Sequence, residues 1–131
     1  MTTYSLTWQY QTQELGDGNC SLSDVKVGLH LSSTLPEWQS DAYAKNGLTG
    51  RWQRFMTALE QHEKGHAELD KKYAEQIAQD LQTIPASSCE TLSRTADALI
   101  RVDTGALDVA NHTYDRETQH GATQGAVIPT Y

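Results

Sequence analysis

Two histidines four residues apart, with a glutamate directly after the first, make His62-Glu63-Lys64-Gly65-His66 the segment of this 131-residue chain best suited to a defined reaction. Four residues are slightly more than one helical turn, so on a helix both imidazoles project from one face, about 6 Å apart along the axis. They can then converge on one tetrahedral ion, as zinc does when it takes two nitrogens from a single helix. Glu63 lies off that axis, beside the water that the ion would activate. There it can take a proton and later pass it to a leaving amine. The chemistry this implies is zinc-assisted hydrolysis of a peptide bond. With five histidines and eight glutamates in the chain, the pattern arises by chance in about one such sequence in a hundred. A solvated, charged helix would account for Glu60, Lys64, Glu68, Asp70, Lys71 and Lys72 around it, but not for two histidines on an apolar stripe.

That stripe sets the element that must position them. Trp52, Phe55, Met56, Leu59, Leu69, Tyr73, Ile77 and Leu81 recur at steps of three and four, which predicts a helix from about Thr49 to Leu81, closed by Pro85. His62 and His66 fall on the stripe, in the gap between Leu59 and Leu69. Ser87 and Glu90 have capping-box spacing, so a second helix is expected from Cys89 to about Asp115. Leu92, Ala96, Leu99, Val102, Ala106 and Val109 would carry its apolar face. Ahead of both helices, residues 3 to 10 alternate strictly, with Tyr4, Leu6, Trp8 and Tyr10 on one side. A second alternation carries Val25, Val27, Leu29 and Leu31, and the glycine-rich turn 16–19 between them predicts an antiparallel pair. Residues 36–50 read as irregular or a short helix, and the tail from His120 to Tyr131 as loop. The expected architecture is α+β, a small antiparallel sheet packed on two long helices in a single domain, residues 1–131.

Composition narrows the classes. Ten basic against seventeen acidic residues give a net charge of −7, which would repel a phosphate backbone, so nucleic acid is not an expected partner. No apolar run reaches the length of a membrane span, and no signal-peptide pattern opens the chain. Cys20 and Cys89 fit no local zinc or redox motif. From spacing alone they read equally well as one long-range disulfide or as two separate buried thiols.

A catalytic zinc takes three protein ligands and keeps an open position. His30 lies on the polar face of a strand. His112 and His120 flank Tyr114 and Asp115 in the other stretch dense in ligands and acid–base groups. Asp115 is an alternative oxygen ligand, and Tyr114 could donate a hydrogen bond to an oxyanion.

Leu35-Pro36-Glu37-Trp38, Trp52 and Phe55, the His62–His66 motif, Cys89, and the segment Tyr114-Asp115-Arg116-Glu117-Thr118-Gln119-His120-Gly121 together resemble the predicted secreted zinc-dependent proteases of domain of unknown function family 922. The resemblance runs roughly from Cys20 to Pro129. It implies a zincin-like metallopeptidase in a secreted or periplasmic location, with Cys20 and Cys89 paired. His112 stands outside the shared segment, which favours His120. A ligand just past a helix end, followed by Gly121, can turn inward, with Asp115 bonded behind it. The expected site is therefore His62, His66 and His120 as zinc ligands, Asp115 behind them or in place of His120, Glu63 as general base and Tyr114 as an aid, acting on a peptide or protein substrate. The rival reading is a zinc-binding envelope module that retains the site and cleaves nothing.

Overall fold

The first two runs of alternating residues form a long hairpin. In the computed structural model, which describes residues 1–37 and 48–128, β1 (Thr2–Glu14) pairs antiparallel with β2 (Asn19–Ser33). The expected irregular stretch 36–50 lies largely outside the described residues, as do Trp38, Pro129 and the end of the tail. Gly16 and Gly18 turn the chain with φ of 84° and 86°, a region that glycine enters without steric cost. Ser5, Thr7, Gln9, Lys26, Gly28 and His30 line the solvent face. Between Gln9 and Gln11 the register slips by one residue. The extra residue sits on β2, where Asp24 takes a φ of 51°, and this bulge lets both Leu22 and Val25 pack against the core.

Helix α1 (Leu48–Gln82) matches the apolar stripe within a residue at each end. The chain then adds a short strand, β3 (Ser87–Ser88), against Asn19 and Cys20, giving the sheet order β1-β2-β3. The cap of helix α2 (Cys89–Thr118) is Ser88, the last residue of that strand. Its Oγ accepts the Thr91 N–H at 3.2 Å, while Glu90 pairs with Arg94 at 2.5 Å. The expected capping box is thus displaced by one residue, and α2 runs three residues further than periodicity suggests. A 3₁₀ turn, Ala122–Gln124, follows in the segment expected to be loop.

The apolar core sits at one end of the helix pair. Ile77 and Leu81 of α1 meet Ala96 and Ile100 of α2, and Leu6, Tyr10, Leu22, Val25 and Val27 of the sheet close over them. Burial of each large aliphatic side chain here contributes about 1.5–3 kcal/mol. The apolar face expected for α2 requires correction. Leu92 and Ala96 are buried, but Val102 is 70% and Val109 66% exposed, and the buried line continues through Ile100 and Leu107 instead. Beyond Ile100 the face turned to α1 carries Asp103, Asn111, Tyr114 and Thr118. Hydrophobicity marks the wrong side of the helix there because the packed side is polar.

Cys20 and Cys89 are joined, with Cα atoms 4.9 Å apart across 69 residues, tying the start of β2 to the start of α2. Closing a loop of this length is worth about 4 kcal/mol in the chain-entropy model, and often less in practice. Cys20→Ala/Cys89→Ala should therefore lower the unfolding free energy by about 2–4 kcal/mol in urea titration. A variant as stable as the parent would show that the sheet is held without the bond.

Asp103 on α2 is a local cost of the polar packing. Its Oδ2 is shut off from water and accepts no hydrogen bond. Burial, then the hydrogen bond and charge of Asp80, push its pKa up to about 6. Two carboxyl groups can bond only while one keeps a proton. The folded chain therefore holds this proton more tightly than the unfolded chain. Stability falls as pH rises from about 4 to about 6 and stays reduced above that. Asp103→Asn should flatten this part of the pH–stability curve and gain about 1 kcal/mol at neutral pH, after allowance for solvent screening. Thermal melts across the range test this; parallel curves for variant and parent would refute it.

Candidate metal centre

Towards its N-terminal half, the inner face of α1 changes from apolar to polar without leaving the core line. His62, Glu63, His66 and Asp70 are all buried there. Because α2 runs antiparallel, it sets Thr118 near His62, Asp115 near both histidines, and Asn111 between His66 and Asp70. His62 Nε2 lies 3.0 Å and His66 Nε2 2.7 Å from the same atom, Asp115 Oδ1. One ligand atom from each of the three residues fits within 4.8 Å. Two imidazole nitrogens and one carboxylate oxygen form a donor set that zinc accepts. An open cavity of about 710 Å³, lined also by Glu63, Thr2 and Tyr4, leaves room for a further ligand.

The far side of each imidazole is also fixed. His62 Nδ1 is 2.9 Å from Gln124 Oε1, and His66 Nδ1 is 2.6 Å from Asn111 Oδ1. The Asn111 amide in turn donates to Asp70 Oδ1 at 2.8 Å. Tyr114 stacks on the His62 ring, centroids 4.8 Å apart and planes 8° from parallel, and meets His66 edge-on. Expected as an oxyanion donor, Tyr114 directs its hydroxyl to the His62 backbone carbonyl at 2.9 Å. This approach requires Gly65, where any Cβ would overlap the Tyr114 ring and hydroxyl. Gly121, at φ 95°, is pressed against His62 in the same way, a Cβ there meeting His62 Cγ at 3.1 Å.

The charges follow the geometry. Burial works to raise the Asp115 pKa, but the bonds and charge of His66, the bond to His62 and the charge of His120 hold it below the ordinary value. Asp115 is therefore a ready anionic ligand. Burial also opposes ionisation of Glu63. Hydrogen bonds from the Met1 amino group at 2.8 Å and the Thr2 hydroxyl at 2.5 Å, with the charge of His66, nonetheless bring its pKa down. An ionised Glu63 facing the cavity can accept a proton. For Asp70, burial outweighs the Asn111 bond, and its pKa is raised.

His120 stands at the rim. Its ring is 82% exposed and Nδ1 is 3.8 Å from Asp115 Oδ1. The carboxylate, rather than the His120 imidazole, occupies the point where both Nε2 atoms converge. His112 is exposed and lines the cavity, and His30 lies on the solvent face of the sheet. Sequence reasoning passed over Asp70, Asn111, Thr2 and Gln124. Asp70 and Asn111 were findable, since each continues a polar line at a step of four, from His66 and towards Asp115. Gln124 and Thr2 carry no such signal.

The family described as "Bacterial protein of unknown function (DUF922)" matches residues 1–121. No curated protein and no solved structure matches the chain.

Alanine in a helix interior is usually about 1 kcal/mol better than glycine. Gly65→Ala should do the reverse and lower the thermal midpoint, because its Cβ displaces Tyr114. Adding Gly65→Ala to a Tyr114→Ala protein should instead raise it. A stabilised Gly65→Ala single variant would mean that the ring moves aside freely.

Proposed function

The chain belongs to the DUF922 family, and we propose that it is a zinc-dependent hydrolase acting on peptide bonds outside the cytoplasm. The observation that carries this reading is the convergence of His62 Nε2 and His66 Nε2 on one oxygen of Asp115, at 3.0 and 2.7 Å, beside an open cavity. Packing alone gives no reason to bury two histidines against a half-buried carboxylate, because each is costly to desolvate. In this reading His62, His66 and Asp115 hold the ion, and His120 lies at the rim, on the substrate side. When bound, zinc supplies Lewis acidity to a scissile carbonyl and lowers the pKa of water.

The protein's own groups do the rest. Glu63, ionised and lining the cavity, takes the proton from the attacking water and returns it to the leaving amine. Asp115 is held ionised by the histidines, so it meets a cation without first losing a proton. The Cys20–Cys89 bond supports an oxidising compartment, where such bridges persist. An intact Glu63 supports catalysis over a purely structural site, which has no use for a base beside an open position.

Zinc stoichiometry and cleavage of a peptide library, with and without chelator, test the proposal. Glu63→Gln should keep the metal and lose about 10²–10⁴-fold in rate. Asp115→Ala should lose the metal, and His120→Ala should keep it. The opposite pattern in those two variants would return the third position to His120. Wild-type protein that binds no divalent metal would overturn the proposal.

A further inference from the structure

Strand β1 is tied to α2 at two points by tyrosines. Tyr4 donates its hydroxyl to Asp108, and Tyr10 donates to Asp97 at 3.5 Å. Between these struts lies a groove of about 510 Å³, with Trp8 on the sheet side and Ile100, Thr104 and Gly105 on the helix side. Trp8 shares the inward face of β1 with Leu6 and Tyr10, which pack against the core, yet it is 43% exposed. Across the groove Gly105 stands inside α2, and a Cβ built there would meet nothing within 4 Å. Glycine weakens a helix interior, so folding alone does not favour it beside an unfilled space.

The charge of the groove points to its occupant. Asp97 and Asp108 both line it, and among the described residues neither forms an ion pair with a cation. Arg101 lines it too, so two carboxylates against one guanidinium leave one negative charge in excess. An indole face beside excess negative charge attracts a cation, and the stem of a long basic side chain packs on apolar surface such as Ile100. The groove also continues into the metal cavity, since Asp108 lines both and its partner Tyr4 lines the metal cavity. We propose that this groove is a distal part of the substrate cleft, where a lysine or arginine side chain of an extended peptide lies between Trp8 and the carboxylates of Asp97 and Asp108. The identity of the ligand as a peptide rests on the hydrolase reading above. Thr2, which bonds Glu63, and Trp8 are six residues apart on β1, about 20 Å in a strand. The basic side chain therefore belongs about six residues from the bond that is cut.

Blocked glycine–serine peptides carrying one central lysine, norleucine or glutamate, titrated into the full-length protein stripped of metal, test this apart from catalysis. The lysine peptide should bind about tenfold tighter than the norleucine peptide, with the advantage lost at high salt. Binding should shift the tryptophan emission of the wild type and leave that of Trp8→Phe unshifted. The double variant Asp97→Asn/Asp108→Asn should show no preference for lysine. Gly105→Met fills the groove from the helix side. It should raise the thermal midpoint yet weaken lysine-peptide binding about tenfold, which separates lost binding from lost folding. Equal affinity for the lysine and norleucine peptides, or a preference for glutamate, would overturn the proposal. If lysine is preferred but the protein takes up no zinc, the metal reading fails and the groove stands.

Discussion

The meeting of His62 Nε2, His66 Nε2 and Asp115 Oδ1 is the constraint around which the helix pair is arranged. Three electron-rich atoms within hydrogen-bond distance do not stay together unless something positive lies among them or the scaffold holds them there. Much of the surrounding detail serves that holding. Gly65 admits the Tyr114 ring against the histidines, Gly121 presses on His62, and Asn111 and Gln124 bond the outer nitrogens. Each of these contacts restricts a ring in a different direction, so neither imidazole can rotate away without breaking several at once.

Core and site share the same two helices, end to end. One half of the shared face is aliphatic, with Ile77 and Leu81 opposite Ala96 and Ile100. The other half is polar, with His62, His66 and Asp70 opposite Asn111, Tyr114 and Asp115. The sheet covers both. Its apolar side chains close the core, and Thr2 at the other end of β1 bonds Glu63. The protein therefore needs no insertion to build a cavity. Its helix pair stops being hydrophobic part way along, and the packing continues. The cost shows at the junction, where Asp103 is left with a buried oxygen and no donor.

This division explains what the sequence made legible. Strands and turn follow from periodicity, and so does α1, because Phe55, Ala74, Ile77 and Leu81 carry its apolar line on either side of the polar stretch. The histidine pair stood out because it interrupted an apolar stripe. For α2 the same logic failed past Ile100, where Val102 and Val109 face solvent and Asp103, Asn111 and Tyr114 face the partner helix. Periodicity of apolar residues cannot report a face on which Leu107 stands among half-buried polar residues. Asp115 was legible as a ligand type from its segment, but its place between the histidines required the helix register. Gln124 depends on three successive left-handed residues, which no propensity for Gln119 or His120 would suggest.

The disulfide has a topological side. The bond between Cys20 and Cys89 closes a covalent ring that contains β2 and all of α1, with both histidines, but leaves Asp115, Asn111 and Gln124 on the free arm beyond it. Candidate ligands from inside and outside the ring meet at the end of the helix pair remote from the bridge. An ion held there would act as a second, reversible fastening, closing the arm onto the ring where the covalent one cannot reach. Helix α2 would then be anchored at its start by a bond that reductants cut and near its far end by one that chelators cut.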